Sequence, residues 1–347
     1  MRSIIFSLLV SLSFVAVSCS DMLLESDPDD TPRDNFNILW SEFDTYYALF
    51  EVKQINWDSL HDAYGSRITS TTTDRELFAI ISSMLANLHD AHISLTTPFG
   101  TFNADTLYDD SSGVFERGVV LYNYLRGDFA TAGGERIFYG MLPDDIGYLT
   151  IPSFAGAIEA PPGISNWARE IDTVLKKFQG ARGIIIDIRG NDGGNSFNGA
   201  HIAGRFADTR RLYQISRSRN GPEHDDFGSE FERYLEPIGA TRFTGPVVLL
   251  TNNRTISAAE WFAMAMKELP NVTIIGDTTA GNLSGRMERE LPNGWIYTVS
   301  VQKIVSPDGI SYEGRGIPPD IPAVTTRRDI ATLRDPILER AMEALRE

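Results

Sequence analysis

From about residue 146 onward the chain alternates short apolar runs with amphipathic stretches, and that alternation limits it to few architectures. Strands are expected over residues 147–154, 183–188, 246–251 and 272–276, with helices over 166–178, 199–206 and 257–269 between them. Residues 184–188 and 247–250 are almost unbroken apolar runs. A strand of that kind needs cover on both faces, so the predicted core is α/β. Pro292-Asn293-Gly294 and Pro307-Asp308-Gly309 mark turns on either side of a further strand, 295–305. Asp335-Pro336 opens a last helix, with Asp as N-cap and Pro in the first turn.

The first half reads differently. Phe36, Leu39, Trp40, Phe43, Tyr47 and Phe50 recur at helical spacing, as do Leu77, Ile80, Ile81, Met84, Leu85 and Leu88. Thr73 and Glu76 form a capping box for the second run, which should stop near His89, because residues 92–96 switch to β-branched alternation. The expected organisation is a helical domain over 35–96, a short strand-rich connector over 97–145 that includes 118–125, and an α/β core over 146–347.

Ahead of this lie Met1 and Arg2, an uncharged apolar stretch over 4–17, and Ala16-Val17-Ser18-Cys19. The pattern resembles a bacterial lipoprotein signal peptide over 1–18 with Cys19 as the lipid anchor, followed by an acidic, proline-containing tether over 19–34. A plain secretory signal with an incidental cysteine is the alternative. So is an uncleaved span, although the run is shorter than the roughly 20 residues a membrane crossing needs. The expected location is the bacterial envelope, facing the periplasm or the cell surface. With 47 acidic against 31 basic residues the net charge is -16, and no basic run occurs. Nucleic acid and anionic lipid surfaces are thereby poor partners, and the only membrane contact expected is the lipid anchor. A lone cysteine excludes an intramolecular disulfide and a cysteine zinc cluster.

Two segments could carry chemistry. Residues 251–266 run from a buried strand through a polar turn into a helix that starts at Ser257, where free N–H groups and the positive helix end favour a developing oxyanion. Taken alone, Ser257 could equally be an N-cap, with Glu260 completing a capping box. Residues 187–195 leave another buried strand and carry Gly190, Gly193 and Gly194, which let the backbone approach a ligand or simply turn. Neither segment is a dinucleotide fingerprint or a P-loop, and Gly281 to Gly285 lacks the G-x-S-x-G spacing. Glu223-His224-Asp225-Asp226 has no second histidine at helical spacing and reads as a solvated loop, so no metal or cofactor is expected.

Gly147-Tyr-Leu-Thr-Ile151 with Phe154, Asp187-Ile-Arg-Gly-Asn191 with Gly193-Gly194, Ser257-Ala-Ala-Glu260, Gly276-Asp-Thr-Thr-Ala-Gly281 and Gly316-Ile-Pro-Pro-Asp320 occur in that order. Together they resemble the S41 family of serine peptidases, which includes the C-terminal processing and tricorn proteases. The resemblance implies a crotonase-like α/β core with a small N-terminal helical domain, Ser257 as nucleophile, and an oxyanion hole from Ala258 N–H and a glycine of the Gly193-Gly194 pair. It offers two bases. The processing proteases use a lysine after the T-x-G segment, where this chain has Asn282, and an amide cannot act as a base at neutral pH. The tricorn-type alternative uses a histidine, matched here by His92, with Glu313 as the matching acid. Those enzymes carry a serine just before the histidine, whereas this chain has Ala91, and Ser94 is a candidate substitute. The connector is also too short for the PDZ module that many members insert. The expected function is a serine endopeptidase acting on envelope or extracellular proteins and peptides; the alternative is an inactive scaffold that binds them.

Palmitate labelling in growing cells tests the anchor independently of catalysis. Label should enter the wild-type chain and be lost in Cys19→Ala; unlabelled, soluble wild-type protein would contradict the assignment.

Overall fold

A computed structural model describes residues 29–104, 114–156 and 163–347, so the expected signal peptide over 1–18 and the expected anchor Cys19 lie outside the described residues. Among the described residues no helix is long and apolar enough to cross a membrane.

The centre is a seven-stranded sheet whose strands neighbour one another in chain order: Ala130–Ala132, Ile137–Leu142, Ile146–Thr150, Gly183–Asp187, Val247–Thr251, Val272–Gly276 and Ile321–Pro322. The first two pairings are antiparallel and the remainder parallel. Alternate residues of the parallel strands feed two different cores, as the two-residue strand period requires. Leu149, Ile184, Ile186, Val247, Leu249 and Ile274 pack with Ile171, Ile202 and Phe262 from the crossover helices. Tyr148, Ile185, Val248, Leu250 and Ile275 pack on the other face with Ile337, Leu338 and Ala341 of the helix Pro336–Ala344. The unbroken apolar runs are thus covered on both faces.

The N-terminal region is helical, with Pro32–Tyr46, Phe50–Lys53, Trp57–Gly65 and Asp74–Leu85. The first helix begins within the stretch read as tether: Thr31 caps it by accepting from Asp34 N–H, and Pro32 suits a first turn whose N–H groups are unpaired anyway. Thr73 and Glu76 form the expected capping box, and the chain leaves the helix at His89 in a left-handed conformation. This region is joined to the rest by a four-stranded antiparallel sheet, in which Ser94–Thr97 pairs with Ile296–Ser300, Leu95 opposite Tyr297. Its helices bury Phe36, Phe43 and Trp57 in one core with Trp295, Tyr297 and Val299.

Three local expectations change. Residues 118–125, read as strand, form a helix over Arg117–Val119 that continues as a wide turn over Val120–Tyr124. Their apolar side chains Val120, Leu121 and Leu125 all reach the core beneath the C-terminal helix while Tyr122 is exposed, so packing overrides the strand propensity of valine and tyrosine. The single strand over 295–305 is two, Ile296–Ser300 and Gln302–Val305, because the chain crosses at Val301 from the four-stranded sheet to a three-stranded one. The other strands there, Arg211–Ser218 in the middle and Phe231–Leu235 at the edge, were not anticipated; their alternation is blurred by arginines and a glutamate.

A fully buried ionic cluster ties the sheet's carboxyl edge to the last helix. Arg189 donates to both oxygens of Asp187 and to both oxygens of Asp335, the N-cap of that helix, and Tyr148 donates to Asp187 at 2.9 Å. Two acids share one guanidinium, so removing it strands both in a dry site. Arg189→Met should lower unfolding free energy by about 3–5 kcal/mol in urea titration; a loss below 1 kcal/mol would show that the cluster is dispensable.

Candidate active site

Ser257 stands between the polar turn after the strand Val247–Thr251 and the helix Ala258–Lys267. Its backbone has φ 61° and ψ -123°, a conformation costly for any residue with a β-carbon. Its N–H is shared between Asn282 O and Glu260 Oε2, each at 3.1 Å, and the preceding Ile256 N–H donates to Asn191 O. Held this way, Ser257 lines a cleft of about 710 Å³ whose walls also include His92, Gly193, Gly194, Ala258, Trp261 and Arg286. Residues read in the sequence as separate motifs therefore meet on one surface.

The glycine turn approaches the serine as closely as packing allows. A β-carbon on Gly193, which has φ 84°, would lie 2.8 Å from Ser257 Cβ and 2.9 Å from Ala258 N. The two glycines differ in what their N–H groups do. Gly193 donates to Asn191 Oδ1 at 2.9 Å. Gly194 N–H and Ala258 N–H donate to no group among the described residues, and both border the cleft. Two unpaired donors beside a serine hydroxyl are the means of holding a developing oxyanion.

His92 sits at the junction of the helical region and the first paired strand. Its N–H donates to Asp90 Oδ1 at 2.9 Å and its carbonyl accepts from Thr298 Oγ1 at 2.6 Å. The ring is buried with Nδ1 inward, while the residue borders the cleft. Burial lowers its pKa; the negative charge of Asp90 opposes this, and Arg286 and Lys53 add to the lowering. The Asn282 carboxamide accepts Ala91 N–H at 3.1 Å, joining the segment behind the serine to the residue before the histidine.

Sequence reading missed how much depends on Glu260, which it saw only as a helix cap. This carboxylate is fully buried and accepts from Thr279 Oγ1, Gly281 N, Asn282 N and Ser257 N at 2.7–3.1 Å. Burial pushes it up to about 7 despite those four donors. Glu313 is also buried, with Oε2 accepting from Leu283 N and Ser284 N and Oε1 4.0 Å from Lys53 Nζ. Burial, then the charge of Asp90, pushes Glu313 up to about 8. It lies behind the cleft wall rather than on it. Ser94 hydrogen-bonds Thr298. His201 is buried against Arg205, and His224 stacks on Phe50.

The model of peptidase family S41 matches residues 145–323, which is half of the chain, and the tricorn protease C1 domain matches 28–86. A crystal structure of a putative peptidase from Parabacteroides merdae is 33% identical, with TM-score 0.82, over 91% of this chain and 97% of that one. The chain belongs to peptidase family S41. The carboxy-terminal processing protease CtpA of Bacillus subtilis is 31% identical over 189 residues, 54% of this chain but 37% of that protein, so the chain spans little more than a third of that S41 relative. The same fold occurs in mature CPAF complexed with lactacystin, at TM-score 0.67 and 12% identity over 91% of this chain and 97% of that one.

Two outcomes check this geometry. Gly193→Ala should retain its circular dichroism spectrum yet lose most reactivity of Ser257 toward a fluorophosphonate, since the new methyl must displace the serine or the Ala258 amide. Unchanged reactivity would mean that this approach does not matter. The raised pKa of Glu313 means that its stabilising contribution is complete below about pH 4.5 and is lost as pH rises through about 8. Glu313→Gln should therefore flatten the fall of thermal midpoint across that window; an equally steep fall would contradict it.

Proposed function

We propose that this chain is a serine endopeptidase in which Ser257 is the nucleophile and His92 the base. The observation that carries the reading is that a strained serine, a buried histidine and two unpaired amide donors face one cleft. The Ser257 hydroxyl attacks the scissile carbonyl as its proton passes to His92, and Gly194 N–H and Ala258 N–H receive the oxyanion. His92 then protonates the leaving amine, and water releases the acyl group from Ser257 by the reverse sequence. Substrates are peptides or proteins of the envelope or exterior, reached by the Cys19 anchor. Asn282 excludes a lysine base at its position, because an amide does not accept the proton. Glu313, the acid supplied by the tricorn-type resemblance, remains the other candidate member of the set.

A fluorophosphonate probe should label the wild-type chain and fail on Ser257→Ala. Labelling that survives Ser257→Ala removes the nucleophile assignment. His92→Ala should lose roughly 10³-fold or more in rate, and combining the two changes should be barely worse than either alone. Because burial lowers the His92 pKa, kcat/KM should fall on the acid side with an apparent pKa below the roughly 6.5 of free imidazole, with a plateau above it. Near-normal turnover in His92→Ala would reopen the search for the base, and absence of labelling in a folded wild type would favour an inactive binding scaffold.

A further inference from the structure

The four-stranded sheet that joins the helical region to the core ends at the cleft. Ser94, two residues after His92, starts one of its strands, and Asn103, on the cleft wall, ends the next. Ser284, Gly285 and Arg286 also line the cleft and lead into the strand Arg286–Glu290. That strand lies at an edge of the sheet, with Ile296–Ser300 as its one strand neighbour among the described residues. It runs away from the cleft, so Glu290 stands about 13 Å beyond Arg286 at a strand's rise per residue.

The alternation of hydrogen bonds decides what this edge offers. Val301 N–H donates to Gly285 O and Leu291 N–H to Trp295 O, and with Arg286 opposite Ser300 each of these is a directly opposed pair. In an antiparallel ladder, opposed pairs that exchange bonds alternate with pairs that do not. Met287 and Arg289 therefore bond across to Val299 and Tyr297, whereas the main-chain groups of Arg286, Glu288 and Glu290 point outward. Ser300 agrees with this: opposite Arg286, it turns its carbonyl the other way, to Ala48 N–H. No backbone group outside this pair of strands bonds the main chain of Arg286, Glu288 or Glu290 among the described residues. An open edge of three N–H and three C=O groups thus starts at the wall of the cleft that holds Ser257. The side chains of Arg286, Glu288 and Glu290 are exposed along it, while Arg289 is half-buried against Glu42 and Tyr46. Charges of this kind discourage casual pairing with another sheet, and they also select what an extended chain must carry to lie there.

We propose that an extended stretch of the polypeptide substrate, on one side of the scissile bond, adds as a fifth strand to the edge Arg286–Glu290. Main-chain pairing holds the stretch whatever its sequence, and Glu288 and Glu290 favour lysine or arginine where it passes them. Because the edge continues the cleft wall, its occupant is a chain already passing Ser257 rather than a separate partner. Binding there is remote from the reacting atoms, so it favours long, unfolded chains over short peptides. This rests on the reading of Ser257 as the nucleophile of a peptidase.

The test compares two quenched fluorescent peptides built on one sequence that the wild type cleaves, with about eight or about two residues on each side of the scissile bond. Wild type should prefer the long peptide roughly tenfold in kcat/KM, mostly through KM. Glu288→Pro removes one outward N–H, breaks no ladder bond and sits where edge strands accept proline. It should bring the preference to within about twofold, whereas Glu288→Ala, which keeps the N–H, should retain most of it. Lysines in place of glutamates in the long peptide's flanks should raise wild-type kcat/KM about fivefold, and Glu288→Gln with Glu290→Gln should abolish that gain. A long-peptide preference that survives Glu288→Pro overturns the proposal. Equal cleavage of lysine and glutamate flanks by the wild type does so too, and that arm reads out even where the proline variant does not fold. A wild-type dimer that Glu288→Pro dissolves would make a second copy of the chain the occupant and likewise overturn it. A wild type that cleaves neither peptide and takes no fluorophosphonate at Ser257 would instead sink the peptidase reading on which the proposal stands.

Discussion

The arrangement around Ser257 depends on one buried carboxylate. Glu260 accepts four hydrogen bonds, one from the serine's own N–H and three from the segment 279–282 that runs behind it. A positive-φ serine persists only where its surroundings over-determine it. Here Ser257 at the helix start and the 279–282 segment are fastened to the same two oxygens. Isolated burial of such a group would be prohibitive, and its rise to about 7 shows that even four donors do not fully repay desolvation. Strain at the serine is thus sustained by polar satisfaction elsewhere.

A second constraint joins the two ends of the chain. The strand Ser94–Thr97 is inserted beside Ile296–Ser300, and Asn282 reaches across to Ala91. The helical region therefore supplies a wall of the cleft together with His92, and its position is set by main-chain pairing and an aromatic core rather than by surface charge. Where the resemblance would place a lysine, Asn282 acts as a spacer between the serine loop and the histidine turn. A neutral amide suits that position, because Lys53 and Arg286 already lower the His92 pKa.

Much of the architecture was legible in residues 146–276, where unbroken apolar strands and amphipathic helices follow one another at regular spacing. Such patterns report burial directly, and burial is what fixes these elements. Residues 118–125 misled for the same reason: an apolar run reports that a segment is buried but not whether it is buried as strand or helix. The strands 211–218 and 231–235 were silent because Arg211, Gln214, Arg217, Glu232 and Arg233 break their apolar alternation.

The sequence by itself determined the succession of the central parallel strands and their crossover helices, the caps at Thr73 and Asp335, and the short set of residues worth considering as nucleophile and base. These follow from local spacing, which the covalent chain carries. Tertiary structure alone decided that Ser257, His92, Gly194 and Ala258 face one cleft, that Gly193 spends its N–H on Asn191, and that Glu260 holds the serine loop rather than only capping a helix. It also decided that Asp90 accepts the main-chain N–H of His92 while Glu313 accepts those of Leu283 and Ser284. Hydrogen bonds and desolvation act between groups tens to hundreds of residues apart, and their directions exist only once the sheets have closed.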